Sequence, residues 1–368
     1  MKKIVGLLLA LAAISCSEKY EIKRSFCYWN TSYSSYSFDF NMADSLKVSH
    51  MYMRLFDVGW NPYEKRALPI ATLWDFADEH NRGEVTPSIY ITNDVVLNSN
   101  RSQLTELAGQ IKKRINTILD KTEDFASGAT VDRYNIDEEK DNRYSCILEE
   151  KKIFRERIKE ILIDCDWTLK SKDNYFFLLG EIKKTIPQYQ LSATIRLWQY
   201  RDFEKAGVPP TDRGLLMCYN MKDPASQKTD NSIGSAHEMA KYVNHDDYPL
   251  KLDAALPIFS WTLAYRGEKF LGIVPEEHTN FERDIFKKRD DTHYTFTKDV
   301  VLGETYYRSG DELRIERVSD AEMEKMIGIL KDNVDLEDSK VSFFSWKNNY
   351  INDYGIKTIS GFYEMFGR

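Results

Sequence analysis

Eight short apolar segments, separated mostly by stretches of helical spacing, constrain this chain more than any other feature. They are RSFCYWNTS, VSHMYMRLFDVGW, VTPSIYITND, ILIDCDW, YQLSATIRLWQ, RGLLMCYNM, LDAALPIFSW and VSFFSWKNN. Each has the length and the β-branched and aromatic content of a strand. Residues 102–120, TLKSKDNYFFLLGEIKKT, RDFEKAG and SAHEMAKYVNH read as helices between them. Strands alternating with helices build parallel β/α units, and eight such units close a barrel. The expected fold is α/β, a (β/α)8 TIM barrel. Its 368 residues suit one such unit.

Two stretches depart from the rhythm. Residues 121–147 are polar and read as an irregular excursion before a charged helix at 148–160. Residues 272–335 contain YTFTKDVVLGETYYRSGDELRIERV, which alternates at period two, and then the helix SDAEMEKMIGILKD with a Ser/Asp cap. This predicts a small β-rich insertion at about 272–335, before the last strand.

The first residues read as a targeting segment. Lys2 and Lys3 precede the apolar run IVGLLLALAAI, which is too short to span a bilayer as a mature helix. The string AISC, Ala13 to Cys16, resembles the lipobox of bacterial lipoproteins, with Ala13 where leucine is usual. The resemblance implies a signal peptide over 1–15, lipidation of Cys16, a tether over 16–23 and a barrel over 24–368. Ser17 after the cysteine implies the outer membrane of the envelope. Cleavage would remove two lysines and take the net charge from -7 to -9.

Acidic and basic residues are interspersed, so no basic stripe points to nucleic acid. Of the four remaining cysteines, Cys27, Cys165 and Cys218 sit in strand-like runs and are expected as buried free thiols, with Cys146 the fourth. There is no C-x-x-C and no H-x-x-x-H, so no zinc site or other metal site and no cofactor is expected. The acidic string YNIDEEKDNRY lacks the spacing of a calcium loop and reads as solvated.

In a barrel of this kind the strand C-termini build the site. Those ends supply Tyr28 and Asn30, Arg54 and Asp57, Asn93 and Asp94, Asp164 and Asp166, Arg196 and Gln199, Tyr219 and Asn220, Ser260 and Trp261, and Ser345 and Trp346. In ILIDCDW, period two puts Leu162, Asp164 and Asp166 on one face and Ile161, Ile163 and Cys165 on the other. The apolar set must meet helices, so both aspartates point into the barrel. Two carboxylates that close raise one pKa, and an acid-base pair becomes possible. Arg54 or Arg196 is the expected interior partner, and an ion pair that only stabilises the interior is the plainer alternative.

ILIDCDWT resembles the fourth strand of chitinase-like glycoside hydrolases of family 18, whose signature ends D-x-D-W-E. LLMCYNM resembles that family's sixth strand, FCYWNTS its first and VSFFSWKNN its eighth. The resemblance implies catalytic roles for Asp164 and Asp166. It implies substrate-binding roles at Tyr219, Asn220 and Trp346, with Asn220 in place of an aspartate. Ile161 replaces the first aspartate, and Thr168 replaces the catalytic glutamic acid. A threonine cannot protonate a glycosidic oxygen, so the family's mechanism is not available as written. IDCDWT, LSATIRL and DAALPIFSW also resemble strings in barrel lipoproteins from bacteria living on glycans.

Three readings follow. The first is a divergent glycoside hydrolase at the barrel mouth. Its catalytic pair would come from Asp164, Asp166 and Asp57, or from Glu138 or Glu139, and its substrate contacts from Tyr28, Arg54, Asp57, Arg196, Tyr219, Asn220, Trp261 and Trp346. The second is a non-catalytic carbohydrate-binding protein, with Trp29, Trp60, Trp198, Trp261 and Trp346 stacking sugar rings. The third is a structural envelope lipoprotein. The expected partners are a carbohydrate and, through the lipid anchor, a membrane.

Overall fold

The computed structural model describes residues 21–30, 32, 38–73, 83–133 and 140–367. Cys16, the signal peptide, Glu138 and Glu139 lie outside the described residues. The barrel strands are β1 (Lys23–Tyr28), β2 (His50–Asn61), β3 (Glu84–Ile91), β4 (Glu160–Asp164), β5 (Gln190–Arg196), β6 (Arg213–Met217), β7 (Leu252–Pro257) and β8 (Lys340–Phe344). Each pairs in parallel with its neighbour, and β1 pairs with both β8 and β2. The eight-stranded parallel barrel read from the sequence is therefore closed. Each of the eight strands matches one of the eight apolar segments, reaching at most one residue beyond it.

β2 outruns its neighbours because Arg66–Thr72 folds back on it as an antiparallel strand outside the barrel. That strand has a proline and no clear alternation, so no pattern announced it. The stretch after β3 also differs from expectation. Helix Arg101–Arg133 is 33 residues long and Lys140–Glu156 forms a second helix, so most of 121–147 is helical rather than irregular. Its first half buries Leu104, Leu107, Ile111, Ile115 and Ile118 against the barrel. Its second half pairs with the returning helix through Lys151–Asp124 and through Arg155 to Glu123 and Asp120. Between 121 and 147 charge pairing replaces the apolar stripe that revealed the helix at 102–120.

The insertion is a five-stranded antiparallel sheet with its own small core, Phe286, Phe296, Leu313 and Ala264 among its members. Its first strand, Ser260–Arg266, follows β7 after a break of two residues, so the sheet opens earlier than the period-two pattern suggested. Helix Asp320–Asn333 leads from it to β8, capped by the Ser319 hydroxyl accepting from the Glu322 N–H.

The N-terminal floor of the barrel is a closed ion network. Lys340 Nζ donates to Glu160 at 2.7 Å and to Asp253 at 2.8 Å, and Arg213 holds Asp253 at 2.6 Å. The Tyr52 hydroxyl donates to Asp253 at 2.9 Å, and the Ser192 hydroxyl donates to Glu160 at 2.5 Å. Lys340 and Arg213 together hold the Asp253 carboxyl far below the usual carboxylate range, against the opposing push of burial. Next to it His50 lies between Ser25 and Thr86, and burial, with Lys340 second, pushes its pKa well below 6.5.

Candidate functional site at the barrel mouth

The register carries polar side chains across the opposite, C-terminal end. Asp57 of β2 is level with Tyr90 of β3, and Tyr90 is level with Asp164 of β4. The Thr194 hydroxyl of β5 donates to Asp164 at 2.7 Å. These four strands make a charged and hydroxylic arc along one side of the mouth.

Within it, each arginine is fixed by one aspartate. Arg54 binds Asp57 through Nε, at 2.7 Å, and through Nη2. Arg196 binds Asp166 through Nε at 2.5 Å and Nη2 at 2.6 Å, the fork geometry in which guanidinium and carboxylate pair best. The expected arginine partner of the aspartate pair is thus Arg196, while Arg54 serves Asp57. Asp166 and Arg196 stay partly open to solvent, at 39% and 29% of their side chains. Asp164 is 5% exposed.

Asp164 differs from the other carboxylates because its direct partner is a neutral hydroxyl. Burial, and then the charge of Asp166, push its pKa up to about 7, against the pull of the Thr194 hydrogen bond, Arg196 and Arg54. It therefore exchanges a proton near neutrality, which general acid-base chemistry requires. Tyr90 feels the same field: burial, then Asp166 and Asp164, raise its pKa to about 12, so it remains a hydroxyl donor. The Arg54 guanidinium lies 5.7 Å from its ring centroid. Tyr90 was missed in the sequence, although Ser88 and Tyr90 share a face within VTPSIYITND.

The other side of the mouth is aromatic. Trp29 of the loop after β1 packs on Phe344 of β8 at 5.6 Å, and Tyr219 stacks on the other flank of Phe344 at 4.7 Å. Phe259 meets Tyr219 edge-on and leads to Trp261 at 5.3 Å. Trp261 belongs to the first strand of the insertion, where Nε1 donates to the buried Glu316 at 2.7 Å. The Tyr219 hydroxyl makes no hydrogen bond with the described residues. Asn220, beside it, is exposed and has a φ of 54°, a conformation asparagine tolerates better than most residues.

Several sequence candidates lie elsewhere. Trp346 is fully buried, stacked on Phe38 at 4.3 Å and edge-on to Phe26, so its ring offers no stacking surface to a ligand. Tyr28 is also fully buried, and its hydroxyl donates to the Ser32 carbonyl. Both were placed at strand ends by position alone, and the packing of Phe38 over the barrel end covers them. Trp198 packs on Trp167, and Gln199 is a buried bridge from the Arg196 N–H to the Trp167 carbonyl. Thr168 is exposed and starts a turn: its N–H donates to the Ser171 hydroxyl, and its carbonyl receives the N–H groups of Ser171 and Lys172. Among the described residues, no cluster of histidine, cysteine, aspartate and glutamate could hold a metal ion.

The ionisation of Asp164 has a measurable consequence. Its unfolded value is 3.8 and its folded value about 7, so the folded state binds the extra proton and stability falls as pH rises between them. Chemical denaturation at pH 5 and pH 7 should show Asp164→Asn gaining on the wild type at the higher pH, by on the order of 2 kcal/mol. The histidines contribute equally to both proteins, so the difference isolates Asp164. A difference that does not change with pH would contradict this ionisation.

No protein-family model matches the chain, and no curated protein matches it. Solved structures with a similar arrangement include the spore cortex-lytic enzyme SleL of Bacillus cereus, at 11% identity and a TM-score of 0.43 over 89% of this chain and 72% of that one. The chitinase-like agglutinin of Robinia pseudoacacia has 10% identity and a TM-score of 0.43, over 93% of this chain and 100% of that one. The catalytic domain of a hyperthermophilic chitinase from Pyrococcus furiosus has 10% identity and a TM-score of 0.41, over 95% and 98%. At these scores the likenesses carry no argument about activity, and the barrel rests on its own strand pairing.

Proposed function

We propose that the barrel mouth binds a carbohydrate, and that binding is its principal activity. One observation carries this reading: the strand order sets the aromatic residues at the ends of β6, β7, β8 and β1 across the barrel mouth from the paired charges of β2 to β5. A pyranose has an apolar face of C–H groups and a rim of hydroxyls. Aromatic rings suit the first, and fixed carboxylate and guanidinium groups suit the second. Trp29 and Trp261 supply the rings, and Tyr219, whose ring is covered by Phe344 and Phe259, supplies its hydroxyl. Asp166, Arg196 and Arg54, already held by their ion pairs, supply hydrogen bonds together with Tyr90.

Hydrolysis is the second reading, and the ionisation of Asp164 favours it. A retaining or inverting pair needs two carboxyl groups roughly 5 to 9 Å apart. Asp164 ends β4, and Asp166 follows two residues later in the tight turn that the Trp167 N–H closes on the Cys165 carbonyl. Asp166 is held through both oxygens by Arg196, which suits an orienting group or an ionised base better than an acid. The acid would then be Asp164.

Titration calorimetry against neutral and acidic oligosaccharides, with product analysis, separates the readings. Binding without turnover is expected, Trp29→Ala and Asp166→Asn each weakening it about tenfold or more and Thr168→Ala changing it little. If turnover appears, Asp164→Asn should reduce kcat by about 10²-fold or more. Neither binding nor turnover across the panel would leave the structural reading.

We also propose that Cys16 is lipidated and anchors the chain to an envelope membrane, on the support of the KK-apolar-AISC sequence. Cys16→Ala should move the protein from the membrane to the soluble fraction. Unchanged fractionation would reject the anchor.

A further inference from the structure

We propose a second binding site, remote from the mouth, for a single-chain anionic amphiphile: an acyl chain ending in a carboxylate or phosphate. It is the groove between the outer strand Arg66–Thr72 and the first half of helix Arg101–Arg133, with a volume of about 360 Å³. That volume lies within the range of small-molecule sites, roughly 300–1,000 Å³.

The shape suits a chain. The helix lines the groove with Leu107, Ile111, Arg114 and Ile118, which recur at three- and four-residue intervals and so share one face. From Leu107 to Ile118 that face runs about 16 Å at the helical rise. Phe56 and Val58 of β2 form the floor, and Leu68 and Pro69 the opposite wall. An elongated apolar slot of this length takes an extended acyl chain more readily than a compact ring.

The charge selects the head group. Among the described lining residues the ionisable groups are Arg66, Lys113 and Arg114, all cationic, with no carboxylate. This occurs in a protein with a net charge of -7. Lys113 is exposed, and its ammonium has no partner among the described residues. Arg114 donates to the Thr72 hydroxyl and lies 5.5 Å from the centroid of the Phe56 ring, so it is already engaged within the fold. Arg66 pairs with the exposed Glu64 at the groove's end. An apolar slot with the Lys113 ammonium at its rim complements an anionic amphiphile and disfavours both a neutral glycan and an acyl alcohol.

The test uses dodecanoate, dodecanol and vesicles of phosphatidylglycerol against the full chain, with titration calorimetry for the free amphiphiles and flotation for the vesicles. Dodecanoate is expected to bind at one equivalent, with dodecanol at least tenfold weaker. Lys113→Glu should weaken dodecanoate tenfold or more by reversing the rim charge, and Gln110→Trp should block the groove by bulk. Both sites are exposed, so unchanged circular dichroism and melting would confirm folded variants. Dodecanoate binding sensitive to these substitutions would support a single-chain acid as the occupant, and vesicle binding sensitive to them without dodecanoate binding would assign the groove to a two-chain membrane lipid and overturn the proposal. Absence of binding to either probe, or binding unchanged in both variants, would overturn the proposal. A concentration-dependent dimer that Gln110→Trp dissociates, without amphiphile binding, would also overturn it and assign the groove to a second copy.

Discussion

Charge pairing inside the barrel is the constraint on which the rest of this structure depends. Eight parallel strands leave an interior that most barrels fill with branched aliphatic side chains. Here the floor holds Lys340, Glu160, Asp253 and Arg213, and the mouth holds Arg54, Asp57, Asp166 and Arg196. An unpartnered charge in that setting costs several kcal/mol, so each must be met by an opposite charge or titrate to neutrality. The floor meets the requirement completely, with hydroxyls of Tyr52 and Ser192 filling the remaining acceptor positions. Burial and Lys340 keep His50 neutral beside it.

At the mouth the same rule leaves one carboxylate different from its neighbours. Asp57 and Asp166 have arginines, while Asp164 has Thr194. Its burial is then relieved by holding a proton near neutral pH, not by a cation. Proton exchange and rigid hydrogen-bonding groups thus occur together on one side of the barrel mouth, with a wall of aromatic rings on the other. That wall depends on the insertion as well as on the barrel, because Trp261 is carried by the antiparallel sheet and held by its Glu316.

The fold was legible because each barrel strand is an apolar run that ends in polar residues. Asp164 and Asp166 were legible for the same reason: Ile161, Ile163 and Cys165 must face helices, which leaves the alternate positions inward. Arg196 followed from parity with Ser192 and Thr194. What stayed hidden depends on contacts between distant segments. Nothing in VSFFSWKNN says that Phe38, some three hundred residues earlier, will cover Trp346. Nothing in YITND says that Tyr90 will stand level with both Asp57 and Asp164. The extension of the two helices after β3 into 121–147 was hidden because their contact there is made by ion pairs, which give no apolar period to read.

The most direct measurement is a crystal structure of the protein with the tightest-binding oligosaccharide of a neutral and acidic panel. The account predicts a sugar ring lying against Trp29 or Trp261, with its hydroxyls bonded to Asp166, Arg196 or Tyr90. A sugar bound elsewhere on the surface, with the mouth occupied only by solvent, would contradict it.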